Sequence, residues 1–251
     1  MSSLVFIVAA GAIVAGFVQG LSGFGFGLVA MSFWAWALDP KLAAALAVFG
    51  SLTGQLLAVF TVRRRFAATE LLPFVAGGVV GVPIGVALLP LLDADWFKAV
   101  LGALLVTWAP AMLFARHLPR IRHGGRLADA LIGAVGGVMG GIGGFTGAVP
   151  TLWCTLRGFD KDAQRAVIQN FNLATLAVAF AIYLGRGLIT AAMLPMFAIV
   201  AAALLLPGLL GARLYVGLSE TAFRQIVLGL LTLSGVALLA ASLPSLLRGS
   251  A

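Results

Sequence analysis

The chain has 251 residues, of which 62% are hydrophobic and only 10% charged, with a mean hydropathy of +1.12. Soluble domains carry about a quarter charged residues, so this composition excludes an ordinary soluble protein and points to an all-α, polytopic membrane bundle. The net charge of +8 sits mostly in short loops beside apolar runs, where Lys and Arg act as topology signals and contacts to membrane lipids, not as a nucleic-acid surface.

The start, Met1-Ser2-Ser3-Leu4, has no basic n-region, so the first apolar stretch is expected to stay in the protein. That stretch, Leu4 to Leu38, would be about 52 Å long as unbroken helix, too long for one ordinary crossing. In its middle stands Gly20-Leu21-Ser22-Gly23-Phe24-Gly25-Phe26-Gly27. Spans are predicted at 41–62, 71–91 and 96–114, with Pro40 and Pro73 near helix starts and Pro83 inside a span that it should bend. Arg63, Arg64 and Arg65 follow the first of these, and Asp93 and Asp95 precede the third. The loop 115–126 carries Arg116, Arg120, Arg122 and Arg126 without an acid, and is expected on the cytoplasmic side. Its His117 and His123 read as solvent or headgroup contacts, not metal ligands.

A second long apolar stretch, Leu127 to Leu156, would be about 45 Å as one helix. Its middle reads Gly140-Gly141-Ile142-Gly143-Gly144-Phe145-Thr146-Gly147. Spans follow at 164–184, 188–210 and 220–243, with Pro207 inside the second. Trp34, Trp36, Trp96, Trp108 and Trp153 fall mostly near span ends, the usual place of an interfacial belt, and Cys154 reads as a small core residue.

Adding 120 carries Gly16, Gly20, Gly23 and Gly27 onto Gly136, Gly140, Gly143 and Gly147, which is the mark of a duplication. The division is therefore a first membrane repeat at 1–115, a basic cytoplasmic loop at 116–126 and a second repeat at 127–251, with eight to ten membrane segments in all. Each glycine cluster makes either one long discontinuous helix or a hairpin of two shorter ones. Charge placement chooses between them. A single crossing of 127–156 puts Arg63, Arg64, Arg65, the four loop arginines, Arg186 and Arg248 inside, nine of 16 basic residues. A hairpin replaces the last two with Arg157, Lys161, Arg165, Arg213 and Arg224, twelve of 16, and so obeys the positive-inside rule better. Five elements per half would also make the two halves inverted, with the glycine loops meeting near mid-membrane.

All charged residues fall in loops or near helix ends, which disfavours a cation carrier or proton pump built on intramembrane carboxylates. An anion, in contrast, can be held by backbone amides at the N-termini of half-helices. Gln19, Ser22, Gly23 and Gly25 at the first break, and Gly143, Gly144 and Thr146 at the second, are the candidate site residues. Gln169 and Asn170 join them, because the amide-rich run Gln169-Asn170-Phe171-Asn172 would be costly against lipid and should face a cavity or another helix. The offset of 120 sets Asn170 opposite Gly50 in the polar stretch Gly50-Ser51-Leu52-Thr53-Gly54-Gln55. No metal site, dinucleotide fingerprint or nucleophile with its base can be assembled, so neither a cofactor nor an enzyme is expected.

The two glycine motifs, the continuation through Gly147-Ala148-Val149-Pro150, the segment Arg157 to Arg165 and Asn170 resemble the TauE/SafE family of sulfite exporters, also called TSUP. The first copy departs from the pattern in Phe24, Phe26 and the lack of a proline opposite Pro150. The resemblance extends over nearly the whole chain and implies a bacterial inner-membrane, multi-pass permease for sulfite, organosulfonates or related anions. The expected function is transport of a small oxyanion by alternating access. A passive anion channel, a carrier of small organic carboxylates and a non-transporting membrane scaffold remain the alternatives.

Overall fold

The computed structural model describes residues 2–61, 68–115, 120–121, 124–214 and 220–249, and no strand occurs among them. Arg63, Arg64, Arg65, Arg116, His117, Arg122 and His123 lie outside the described residues, as do the side chains of Arg224 and Arg248. Among the described residues ten α-helices follow in order: α1 (Ser2–Ser22), α2 (Phe26–Trp34), α3 (Pro40–Thr61), α4 (Ala68–Leu88), α5 (Ala94–Phe114), α6 (Gly125–Gly143), α7 (Ala148–Leu156), α8 (Lys161–Gly185), α9 (Leu194–Leu214) and α10 (Glu220–Gly249). Eight of them are long and apolar enough to cross a membrane; α2 and α7, at 9 residues each, are not. Two boundaries differ by six residues: α10 runs on to Gly249 where its end is expected at 243, and α9 is expected from 188. Extended backbone at Thr190 and a 3₁₀ turn over Ala191–Met193 delay its start to just before Pro195.

Aspartates start several helices by accepting the otherwise orphaned first-turn amides. Asp39 Oδ1 accepts from Lys41 N–H at 2.9 Å, Asp93 from Trp96 N–H at 2.8 Å, and Asp160 from Ala163 N–H at 2.9 Å. The caps Asp39 and Asp160 stand 121 positions apart, as do the ends of α1 and α6 at Ser22 and Gly143. Glycine spacing alone suggests 120, but α1 and α6 already end 121 apart; the second break is one residue longer than the first, so α2 and α7 start 122 apart before α3 and α8 return to 121. At this register Ser51 falls opposite Asn172, and Asn170 opposite Phe49.

Both glycine-rich stretches fold back. Gly25 lies nearest Val18 of α1, and Trp34 at the far end of α2 lies against Gly11, so α2 runs antiparallel to α1. In the second half, Pro150 packs against Gly136, Trp153 Nε1–H donates to Asp129 Oδ1 at 2.7 Å, and Ile121 N–H donates to Leu156 O at 2.9 Å. The end of α7 thus returns to the beginning of α6. A nine-residue helix rises only about 13 Å, so neither return arm spans a bilayer.

The packing is reciprocal. α4 lies along α6 and α9 lies along α1, while α5 pairs with α10 and α3 with α8. Glycines let the α4 and α6 backbones touch: a Cβ on Gly77, Gly81 or Gly85 would strike the carbonyls of Ala130, Ala134 and Val138. Such small-residue seams supply dispersion contact where lipid gives no hydrophobic drive between helices. Trp36 and Trp96 are 46% and 54% exposed, as a belt requires, but Trp34 and Trp108 are buried in the core. The belt expectation fails for Trp34 because α2 ends inside the bundle, and for Trp108 because its indole turns inward to reach α7. Cys154 is fully buried, as a core residue should be.

Candidate functional site

Gly23 and Gly25 at the first break have φ of +82° and +93°, and Gly144 at the second has +76°, a left-handed conformation that only glycine adopts cheaply. Side chains from neighbouring helices tie the first break in place. Gln55 Nε2–H donates to Gly23 O and Gln19 Nε2–H to Ser51 O, each at 2.9 Å. Ser22 Oγ lies 2.7 Å from Val18 O and 2.6 Å from Phe24 O, so its single proton satisfies one of two freed carbonyls. The two breaks meet: Gly27 packs against the Gly144 carbonyl, and Gly147 against Phe24.

Beside this contact lies a vestibule of about 670 Å³ whose mouth carries the exposed residues Arg120, Asp160 and Lys161. Part of its lining is apolar, with Val18, Leu28, Met112, Ile168, Leu228 and Leu231. The rest is largely polar and includes Ser22, Gly23, Thr151, Gln164, Arg165 and Gln169. Gln169 is 1% exposed, and neither its Nε2 nor its Oε1 has a hydrogen-bond partner. Arg165 Nη2 donates to Gly20 O at 3.4 Å, which holds the guanidinium at the same break. Phe24 lines the vestibule and also a chamber of about 10 Å³ ringed by Gln19, Ser51, Gln55, Gly144, Thr146 and Asn172. Its ring meets Trp108 edge-on at 6.0 Å, and Trp108 Nε1–H donates to Ala148 O at 2.7 Å.

Of the residues expected from sequence, Ser22, Gly23, Gly25 and Gln169 line the vestibule, and Gln19, Gly144 and Thr146 ring the small chamber. Gly143 and Asn170 line neither. Gly143 faces the Phe145 ring, and Asn170 Nδ2–H donates to Ala166 O of its own helix at 2.9 Å. Asn172 is the amide that reaches the breaks, accepting from Thr146 Oγ1–H at 2.8 Å. The amides of the second break are largely committed: Ala148 N–H serves Phe145 O, Thr151 N–H serves Gly147 O, and Pro150 has none.

Sequence reasoning missed Arg165 by assigning it to membrane topology. Arg165, Gln169 and Asn172 are spaced i, i+4 and i+7, which puts all three on one face of α8, and that stripe was the signal. Thr151 and Trp108 left no such trace, since nothing local in the sequence shows where α5 and α7 meet.

The family model described as "Sulfite exporter TauE/SafE" matches residues 8–238. The chain belongs to the TauE/SafE family. No match emerged among curated proteins or among solved structures. Members of the TauE/SafE family are membrane transporters and not enzymes, and the eight long apolar helices make this chain a multi-pass membrane protein. Among the described residues, no group of three or more His, Cys, Asp or Glu gathers where it could hold a metal. The vestibule of this TauE/SafE protein thus combines a mouth bearing two cations and one acid, polar lining with an unsatisfied amide, and apolar lining.

Proposed function

We propose that the chain carries an organic oxyanion, an organosulfonate in first place and sulfite in second, by alternating access. The observation that carries this is the Gln169 amide, buried without a partner in the polar lining beside Arg165 and Gly23. A buried amide left unpaired costs about 1–3 kcal/mol, and a bound oxyanion removes the Nε2–H share of that penalty by accepting from it. Arg165 supplies the charge-assisted donor, and Arg120 and Lys161 draw anions to the mouth. The volume and the apolar lining favour a substrate with a hydrocarbon body over bare sulfite, which would leave most of the vestibule to water.

Three observations support alternation. The vestibule opens beside Arg120 and Lys161, Phe24 and Trp108 line it where the two hairpins meet, and the helices pack reciprocally between halves. On this reading residues 1–115 and 127–251 are inverted repeats joined by the basic loop 116–126. That loop lies in the cytoplasm, and the protein sits in a cell inner membrane.

Flux into proteoliposomes tests the proposal, with aromatic and short-chain sulfonates, sulfite and matched carboxylates as substrates. Saturable sulfonate uptake is expected, reduced about tenfold or more by Gln169→Leu and by Arg165→Ala. Non-saturating conductance would make the protein a channel, preference for carboxylates would move the substrate class, and no flux of any anion would leave a scaffold.

A further inference from the structure

Hydroxyls on the helices of this protein share a habit. Thr53, Thr155, Thr175, Thr232 and Ser242 each lie within hydrogen-bond distance of the carbonyl four residues earlier, the ordinary way to satisfy a hydroxyl in an apolar helix. Thr151 of α7 departs from it. Its Oγ1 has no partner although the residue is only 2% exposed, and the Gly147 carbonyl that it might have used accepts instead from the Thr151 N–H at 3.0 Å. Ser51 and Ser234 also lack a hydroxyl partner, but Thr151 alone of the three lines the vestibule.

Two contacts bracket what faces Thr151. Towards the loop that joins α7 to α8, Thr155 Oγ1 lies 3.3 Å from Gln164 Oε1; at the second break, Thr146 Oγ1–H donates to Asn172 Oδ1 at 2.8 Å. One number falls as the other rises, so the two segments run antiparallel. Thr151 lies between the first members of these pairs, and Ile168 and Gln169 lie between the second. From the Thr155 contact, four residues along either helix rise about 6 Å, which sets Thr151 level with Ile168 and Gln169. Both of those residues line the same vestibule.

The anion reading above takes its donors from Arg165 and Gln169, one turn apart on α8. Thr151 adds a third from the facing helix. A carboxylate offers two oxygens whose preferred acceptor directions lie in one plane, whereas a sulfonate or sulfite presents three oxygens in a pyramid. Two donors from one helix grip either headgroup, but a third from a second helix finds an oxygen of its own only on the sulfur oxyanion. We propose that Thr151 sets sulfonate above carboxylate, by donating Oγ1–H to the third oxygen of a headgroup held by Arg165 and Gln169. This role rests on the anion reading of the vestibule and adds the residue that selects the headgroup.

The experiment compares two anions that differ only in headgroup, propane-1-sulfonate and butanoate, on the full chain. Affinities are measured by titration in detergent, and saturation constants by flux in proteoliposomes. The unaltered protein should bind the sulfonate more tightly. Thr151→Val and Thr151→Ala should weaken sulfonate binding about tenfold and butanoate binding less than about twofold, while Thr151→Ser, which keeps the hydroxyl, should retain the preference. The preference is a ratio taken within one protein, so a smaller folded fraction does not change it. An unchanged ratio in the two hydroxyl-free variants overturns the role of Thr151 and leaves the anion reading standing. Loss of the preference in Thr151→Ser as well assigns the effect to packing and overturns the role too. Unaltered protein that binds neither anion, or butanoate as tightly as the sulfonate, overturns the sulfonate reading itself and this role with it.

Discussion

Asp129 shows how much one side chain contributes to holding the second hairpin closed. It accepts from Trp153 Nε1–H at 2.7 Å and pairs with Arg157 at 3.5 Å, while Arg157 lies over the Trp153 ring. Asp129→Ala leaves both donors at a half-buried site without their acceptor and should cost about 2 kcal/mol. Asp129→Asn keeps an oxygen for the indole and should cost less than half as much. Denaturation midpoints of the detergent-solubilised protein check both. At this scale the sequence was only partly legible. Gln169 stood out because an amide in an apolar helix needs a reason, and it does line the vestibule. Asn170, its neighbour, carries the same signal but turns to its own backbone, and a rotation of about 100° per residue separates the two.

At the scale of elements, helices were the most legible feature, since runs of some twenty apolar residues between charged loops have few other readings. The hairpins were legible through charge, because only a returning α7 keeps Arg157, Lys161 and Arg165 on the side of Arg120. The hydrogen bond from Ile121 to Leu156 records that return in the structure. The glycine seam between α4 and α6 was visible only as abundance, since a sequence does not say which helix a small residue faces. Gly81→Leu places a branched side chain against the Ala134 carbonyl and should wedge the pair apart. The expected result is a loss of folded protein in size-exclusion profiles, or a melting temperature lowered by several degrees. Gly185→Ala, in open space, should leave both unchanged.

At the scale of the molecule, Trp108 touches both hairpins: its ring rests against Phe24 of the first, and its indole N–H is bonded to Ala148 of the second. If the halves are inverted repeats, exchanging their roles would turn the vestibule to the opposite face, and α10 would take the place of α5. α10 contains no tryptophan. The two orientations are therefore not mirror partners in energy, and one carries a tie the other lacks. An edge-on ring pair and a buried hydrogen bond together contribute about 1–3 kcal/mol, enough to bias the resting population about tenfold towards the orientation described here. Trp108→Phe keeps the ring and removes the bond, and should shift that balance about fivefold. Thiol labelling of a cysteine placed at Ser22, in a Cys154→Ala background, reads it out. Unequal rest would make the empty protein a carrier that waits on one side, so the direction of net movement would be set by which face of the membrane finds it waiting.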